Sequence, residues 1–351
     1  MTATNYPELC VGITGLNAND NPGPGIAVIR AIKEGLGNQV KIIGLCYESL
    51  EPGIYMRDLV DKTYRIPYPT EGAAALTERL AYIHSKEQLT LIIPNFDAEL
   101  HNFIKIAPQL QQMGVRTFLP SLEQLRMRDK TNLYEFGKNN NLHVPADHKL
   151  FSVDDLKKAT DDFGFPLMIK GKYYEAYTAY TADEALKAFH KLSAAWGYPV
   201  IAQQYIKGTE INIAALGNGK GQNMSIVPMR KLYITDKGKA WAGVTIEDAS
   251  LNELADTFAK VTHWRGGYEM EIMRDAEGRL FILEINPRFP AWVYLAAAAG
   301  QNQPAALVKM ALGEDLAPFS DYQSGKLFIR HSWDQVVDID SFQQISALGE
   351  L

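Results

Sequence analysis

Cysteine is nearly absent: Cys10 and Cys46 are the only two in 351 residues. Their spacing fits neither a metal-ligand set nor a redox pair, so a disulfide scaffold is excluded and the chain reads as thiol-reduced and cytoplasmic. Basic runs are lacking too. Lys and Arg number 35 against 41 Asp and Glu, a formal charge of −6, which excludes a broad nucleic-acid footprint but leaves room for a local cationic pocket. The longest small-apolar tract, "WVYLAAAAG", is too short to cross a bilayer, and "MTATNYPELCVGITG" lacks the charged and apolar regions of a signal peptide, so no membrane association is expected. The seven histidines are scattered, and no H-E-x-x-H, G-x-S-x-G or G-x-x-x-x-G-K-[ST] occurs. Gly12 and Gly15 are followed only by Gly23 and Gly25. A dinucleotide-dependent oxidoreductase rests on that incomplete fingerprint alone.

What remains is ordinary globular composition, 46% hydrophobic and 22% charged, and a length that suggests two or three packed units at roughly 100–200 residues each. "LCVGITGL", "VKIIGLCY", "LTLIIPN" and "RTFLP" read as strands, separated by helices at "PGIAVIRAIKEGLG", "AALTERLAYIHSK" and "DAELHNFIKIAPQLQQMG". That alternation predicts a parallel sheet wound with helices over residues 1–120. A helical segment, "SLEQLRMRDKTNLYEFGKNN", and the link "NLHVPADH" lead to a small α+β lobe at about 148–207, built from "FPLMIKGK", "ADEALKAFHKLSAAWG" and "YPVIAQQYI". From about 208 to 351 the chain is strand-rich and then helical. The expected architecture is a three-lobed α/β enzyme with a cleft between the last two lobes.

The stretch "LFILEINPRFP" puts Glu284 inside an apolar run and follows it with Asn286 and Arg288. A buried carboxylate is costly unless it is paired or holds a metal. "GYEMEIMRDAEGRLFILEIN" has the form of a hairpin turning at "DAEG". With Arg274 opposite Arg279, alternation places Glu269, Glu271, Glu284 and Asn286 on one face. All-oxygen ligands select a hard cation such as Mg²⁺ or Mn²⁺, which keeps waters and binds phosphates. A salt-bridged surface strand, with Arg274, Arg279 and Arg288 as partners, is the competing reading.

"LEINPRFP" resembles the metal-binding signature of the ATP-grasp superfamily, closest to the synthetase units of the carbamoyl-phosphate synthase large subunit. The resemblance implies an ATP-grasp domain at 121–351, two α+β lobes clamping ATP, behind a Rossmann-like pre-ATP-grasp domain at 1–120. It implies Glu271, Glu284 and Asn286 as Mg²⁺ ligands, with Glu269 as the alternative upstream ligand, and Arg288 against the reacting phosphoryl group. "AQQYIKGTEINI" resembles the adenine hinge, so Gln203, Gln204, Tyr205 and Ile206 would meet the base and Glu210 the ribose. Arg128, Lys130, Lys170 and Lys172 would meet the phosphates, lysine being a suitable point charge. Arg230 or Lys231 on "VPMRKLYI" would meet the γ-phosphate or the substrate carboxylate.

One departure stands out. Where the family carries a glycine-rich loop that closes over the phosphates, this chain has "KGKYYEAYTAYTADEA". Lys172 and the hydroxyls of Tyr173, Tyr174 and Tyr177 would stand in for the missing amides, or closure and turnover would be lost. The expected function is therefore an ATP- and Mg²⁺-dependent carboxylate–amine ligase working through an acyl phosphate. Its partners would be small-molecule or peptide carboxylates and amines, and a homodimer is admissible. A nucleotide-binding scaffold without turnover is the alternative. The loop "TGLNANDNPGPGIAVIR" brings glycine and asparagine to a helix start, either as a site for a substrate carboxylate or as a plain strand-to-helix turn. Trp241, Trp264 and Trp292 are expected in the core.

Overall fold

The computed structural model describes residues 9–18, 22–172, 175–235 and 238–351. Contacts gather the chain into two compact units, each assembled from separated stretches. One holds Met1–Leu122, Ile213–Glu269 and Asn286–Leu351; the other holds Glu123–Asn212 and Met270–Ile285.

The first unit opens with β1 (Cys10–Ile13), α1 (Gly25–Leu36), β2 (Lys41–Cys46), β3 (Lys62–Arg65), α2 (Gly72–Glu87), β4 (Leu91–Ile93) and α3 (Asp97–Gln112). The strands form a parallel sheet in the order β3-β2-β1-β4. Alternation assigns its faces: Val11, Ile13 and Ile42 pack with Val28, Ile29 and Ile32 of α1. Cys10, Ile43 and Leu45 pack with Leu80 and Ile83 of α2 and Phe103 of α3. Apolar residues on both faces of β1 are what a sheet covered by helices on each side requires. The strand expected at "RTFLP" reduces to a single bridge, Leu91 with Arg116. Beyond it, the Thr117 and Leu119 carbonyls accept the Arg265 guanidinium at 3.2 Å each, in place of a neighbouring strand. The open edge of β3 is covered by the chain's own last residues, with Thr63 and Leu351 exchanging backbone hydrogen bonds of 2.8 and 2.9 Å; covering an edge in this way blocks unwanted pairing.

The expected long helix near 121–140 is two short ones, α4 (Leu122–Met127) and α5 (Leu133–Asn139). They are separated where Asn132 Nδ2 donates back to the Arg126 carbonyl at 2.9 Å. In the second unit β5 (Asp147–Leu150), α6 (Val153–Phe163), β6 (Leu167–Lys170), β7 (Ala176–Ala179), α7 (Ala182–Trp196) and β8 (Val200–Gln204) follow. These strands make an antiparallel sheet, β5-β8-β6-β7, around a core of Leu167, Ile169, Phe189 and Leu192.

The rest comprises β9 (Thr209–Asn218), β10 (Asn223–Ile234), β11 (Ala240–Thr245), α8 (Ala249–Thr262), β12 (Arg265–Arg274), β13 (Leu280–Asn286), α9 (Tyr294–Ala298), α10 (Gln303–Leu312), β14 (Leu327–Ile329) and α11 (Ile339–Leu348). Six of these strands form one sheet in the order β13-β12-β9-β10-β11-β14. In the first unit's core, Ala305, Leu307 and Val308 of α10 join the α1 side of the parallel sheet. Among the described residues no helix is long and apolar enough to cross a membrane.

The start of α3 is tied to the sheet by Glu99. Its carboxylate accepts from Thr14 Oγ1 at 2.5 Å, from the Asn95 and Phe96 amides at 2.7 and 2.9 Å, and from the Tyr47 hydroxyl. Burial raises the Glu99 pKa from 4.5 to about 7, against the lowering effect of those donors. A folded-state value above the unfolded one stabilises fully at low pH and loses that contribution as pH rises through the folded value. Wild-type stability should therefore fall between pH 4.5 and about 7 through this group, by about 3 kcal/mol at most. Glu99→Gln should flatten that slope in urea titrations; an unchanged slope would refute the assignment.

Candidate active site

The β12–β13 hairpin turns through Asp275–Arg279. Asp275 N–H donates to the Arg279 carbonyl at 3.1 Å and Gly278 N–H to the Asp275 carbonyl at 3.2 Å. Gly278 sits at φ +85°, a left-handed conformation that glycine adopts without strain. Asp275, not Arg274, thus closes against Arg279, one residue from the expected register, and the Arg279 side chain folds onto Asp275 and Glu277 at 2.6 and 3.1 Å. The four polar residues expected on a single face resolve by their contacts into two groups, one in each unit.

The second unit's group interleaves acids with cations. Glu284 Oε1 lies 3.4 Å from Lys130 Nζ, with side chains 30% and 19% exposed. Lys170, at the end of β6, is pushed below its usual pKa by burial and by the Lys130 charge, while Glu284, Glu271 and Asp147 pull it back up. Arg128 and Lys172 lie close enough to Asp129 to oppose the rise that burial imposes on that carboxyl. The four expected phosphate contacts and two of the three expected metal ligands therefore belong to one unit. Asp147, which sequence reasoning did not single out, joins them. It sits on β5 opposite Gln203, its pKa raised to about 6 by burial and lowered by Lys149, His148 and Lys170.

The hinge segment occupies the same unit. Gln203 is buried between Asp147 and Met168 on the neighbouring strands, while Gln204 is exposed. The Gln204 N–H is already given to the Ala146 carbonyl at 2.9 Å, so that amide is not open to a base. Tyr205, Ile206 and Glu210 are half-buried. Gly208 is obligatory, because a Cβ there would stand 2.0 Å from the Arg274 carbonyl oxygen.

Where the glycine-rich segment was expected, β6 and β7 pair antiparallel and Gly171 N–H donates to the Glu175 carbonyl at 3.0 Å. Tyr173 and Tyr174 lie outside the described residues. The Tyr177 ring lies 4.8 Å from Lys191 Nζ of α7, and the Tyr177 hydroxyl interacts with that amine.

The first unit's group is built on Glu269, which is buried. It accepts from Trp292 Nε1 at 2.7 Å and Asn286 Nδ2 at 3.1 Å, and Arg288 Nη1 is 3.6 Å away. Arg288 Nε pairs with Asp97 Oδ1 at 3.0 Å. Trp292, expected as plain core, is thus also a hydrogen-bond donor to this carboxylate. Arg330, unread in the sequence, is half-buried with Nε on the Ala240 carbonyl at 2.8 Å; partial burial lowers its pKa to about 10, and Glu269 opposes that shift. Arg230 is exposed on β10 opposite Val244, and Lys231 Nζ reaches the Gly238 carbonyl at 3.3 Å. At the start of α1, Gly25 N–H is taken by the Gly15 carbonyl at 2.8 Å, removing one amide from the anion site considered there.

Residues 198–329 match a family model described as "ATP-grasp in the biosynthetic pathway with Ter operon". The chain carries an ATP-grasp domain, and it is homologous to carbamoyl phosphate synthase large chains. It is 22% identical over 262 residues to that of Thermoanaerobacter sp. (strain X514), covering 71% of this chain and 24% of that protein. It is 25% identical over 234 residues to the arginine-specific large chain of Eremothecium gossypii, covering 61% and 21%. The chain thus spans about a quarter of the length of the curated relatives it matches. The fold is shared with the biotin carboxylase domain of Hydrogenobacter thermophilus 2-oxoglutarate carboxylase, solved with MgADP, ADP and bicarbonate, at TM-score 0.68 and 18% identity over 91% of this chain and 73% of that one. It is also shared with N5-carboxyaminoimidazole ribonucleotide synthetase of Thermus thermophilus, at TM-score 0.66 and 16% identity over 89% and 81%.

The donor chemistry fits Mg²⁺ shared with a nucleotide. Among the described residues no three acidic, histidine or cysteine side chains form a closed cage. Within the second unit, Glu271 and Glu284 offer the oxygen donors this ion takes, with remaining positions left to water and phosphate. The two groups should differ in stability terms. Glu269→Ala leaves the buried Trp292 and Asn286 donors without their acceptor and should cost about 2–4 kcal/mol. Glu284→Ala breaks a partly exposed pair and should cost about 1 kcal/mol or less. Urea denaturation of both variants tests this; equal losses would overturn the distinction.

Proposed function

We propose that this chain is an ATP- and Mg²⁺-dependent ligase joining a small carboxylate to an amine. The observation that carries the reading is the second unit's group, where Glu271 and Glu284 alternate with Lys130 and Lys170 in partial burial. Carboxylates interleaved with lysines suit a triphosphate and its counter-ion. The Lys130–Glu284 pair, at 3.4 Å and partly open to solvent, contributes about 1 kcal/mol or less. It can therefore be exchanged for a metal and a phosphate at little cost.

In this reading Glu271, Glu284 and Asn286 hold Mg²⁺, which when bound neutralises the charge on the β- and γ-phosphates. Arg128, Lys130, Lys170 and Lys172 hold the phosphates, Gln203 to Ile206 frame the base, and Glu210 takes the ribose hydroxyls. Arg288, held by Asp97 and Glu269, offers a fixed positive charge to the phosphoryl group in transfer. Arg230 would meet the incoming carboxylate. A carboxylate oxygen attacks the γ-phosphorus with loss of ADP, and the amine then attacks the acyl carbon with loss of phosphate. The second reading, a nucleotide-binding scaffold, is favoured by one observation: the Gly171–Glu175 hydrogen bond where a glycine-rich loop was expected.

ADP release with ATP, Mg²⁺ and a panel of carboxylates and amines tests both. Turnover that requires a carboxylate supports the ligase. ATP binding with no turnover across amino acids and peptides supports the scaffold. Glu284→Ala should abolish Mg²⁺-dependent turnover, and Arg288→Ala should lower kcat by about 10²–10³-fold with little change in KM for ATP.

A further inference from the structure

The strand order β3-β2-β1-β4 reverses direction between β1 and β4. Open parallel sheets take ligands outside the carboxyl ends of their strands at such a reversal. Thr14 follows β1, Asn95 lies just past β4, and Tyr47 follows β2.

Three carboxyl groups gather there, and their hydrogen-bond partners are neutral. Glu99 takes Thr14, Tyr47 and two amides; Glu51 Oε1 takes the Tyr47 and Glu48 amides at 2.7 and 3.1 Å; Glu48 takes the Tyr68 hydroxyl. Arg65 acts on this edge through its field on Tyr68 and Cys46, and its Nη1 donates to the Ser346 carbonyl at 3.4 Å.

The independent sign is Asn95, which is fully buried. Its amide nitrogen donates to the carbonyls of Thr14 and Ile93 at 3.1 and 3.0 Å, at the ends of β1 and β4. Those bonds turn Oδ1 away from the strand ends, and Oδ1 has no donor. The Glu51 carboxyl is buried as well, and the Leu16 amide joins those of Tyr47 and Glu48 in opposing the rise that burial imposes on its pKa. Orphaned buried acceptors are uncommon, and each calls for a donor.

We propose that this edge of the parallel sheet binds a protonated amine. An ammonium group brings three donors, no acceptor and one positive charge, which answers both the orphaned Asn95 oxygen and the carboxyl cluster; an anion would face the carboxyl groups of Glu48, Glu51 and Glu99, the nearby Arg288 guanidinium being paired with Asp97. The site rests on the ligase reading for what the amine would do, since an amine is that reaction's second substrate, but its binding is separable from turnover.

Isothermal titration calorimetry of the full chain with L-alaninamide, and with N-acetyl-L-alaninamide as its uncharged counterpart, tests the site. The cationic amide should bind at least tenfold more tightly than the acetylated one. Glu99→Gln and Glu51→Gln should each weaken it at least tenfold while Mg–ATP binding is retained. Should Glu99→Gln fail to fold, Glu51→Gln and Asn95→Asp remain; the latter, adding a negative charge, should tighten binding. No binding of L-alaninamide, equal binding of the acetylated compound, or unchanged affinity in the variants would overturn the proposal. Amine binding without ADP release under any condition would count against the ligase and leave this site standing.

Discussion

Three carboxylates on one β-hairpin must be neutralised before that hairpin can be buried, and the two units do so in opposite ways. An unpaired buried carboxylate is far too costly to persist. Glu269 is answered by permanent partners: an indole, an amide and a guanidinium that Asp97 also holds. None of these can leave without exposing another buried polar group. Glu284 is answered by Lys130 at 3.4 Å in a partly open setting, with Lys170 adding its charge. The first arrangement is structural and the second is exchangeable. A site that must bind and release metal and nucleotide in every cycle needs the second kind.

The permanent group also reaches back to the parallel sheet. The first turn of α3 carries both Asp97, which pairs with Arg288, and Glu99, which is held by Thr14, Tyr47 and two amides. Two residues of one helical turn thus tie Arg288 to the ends of β1, β2 and β4. Positioning by a rigid element narrows the geometry of a charge more than a loop would. The parallel-sheet region therefore has a physical stake in where Arg288 sits, beyond any substrate it binds.

The wound sheet was legible because its strands are apolar throughout and its helices periodic. The E-x-N-x-R string stood out because a carboxylate in an apolar run needs a reason. Other features were hidden for physical causes. Glu269 looked interchangeable with Glu271, since what separates them is a tryptophan 23 residues away. Asp147 lies on a four-residue strand, "DHKL", with no apolar pattern to announce it. The strand expected at "RTFLP" has the right composition, but its carbonyls go to a side chain from a distant part of the chain. Helix α6 did carry a readable start, Ser152 capping the Asp155 amide at 3.2 Å, yet its weak apolar face concealed it. Turn chemistry closed the hairpin at Asp275 instead of Arg274, while what sorts its polar residues is position along the ribbon: Glu269 meets Asn286, and Glu271 joins Glu284 around Lys170.

The β6–β7 pairing where a glycine-rich loop was expected changes what kind of charge would meet the phosphates. Backbone amides in a nest are fixed dipoles, already oriented before the ligand arrives. Here Gly171 and Glu175 bond to each other, and the Tyr177 ring meets Lys191. In the proposed reading neutralisation would fall on Lys130, Lys170 and Lys172, which are point charges on flexible stems. At Lys170 burial and the Lys130 charge lower the pKa, and Glu271, Glu284 and Asp147 oppose that shift. Burial favours the neutral amine at Lys170, while a bound triphosphate would favour the charged form. Nucleotide binding and the protonation of this one side chain are therefore linked: whatever fills the site with negative charge also completes the positive charge that holds it.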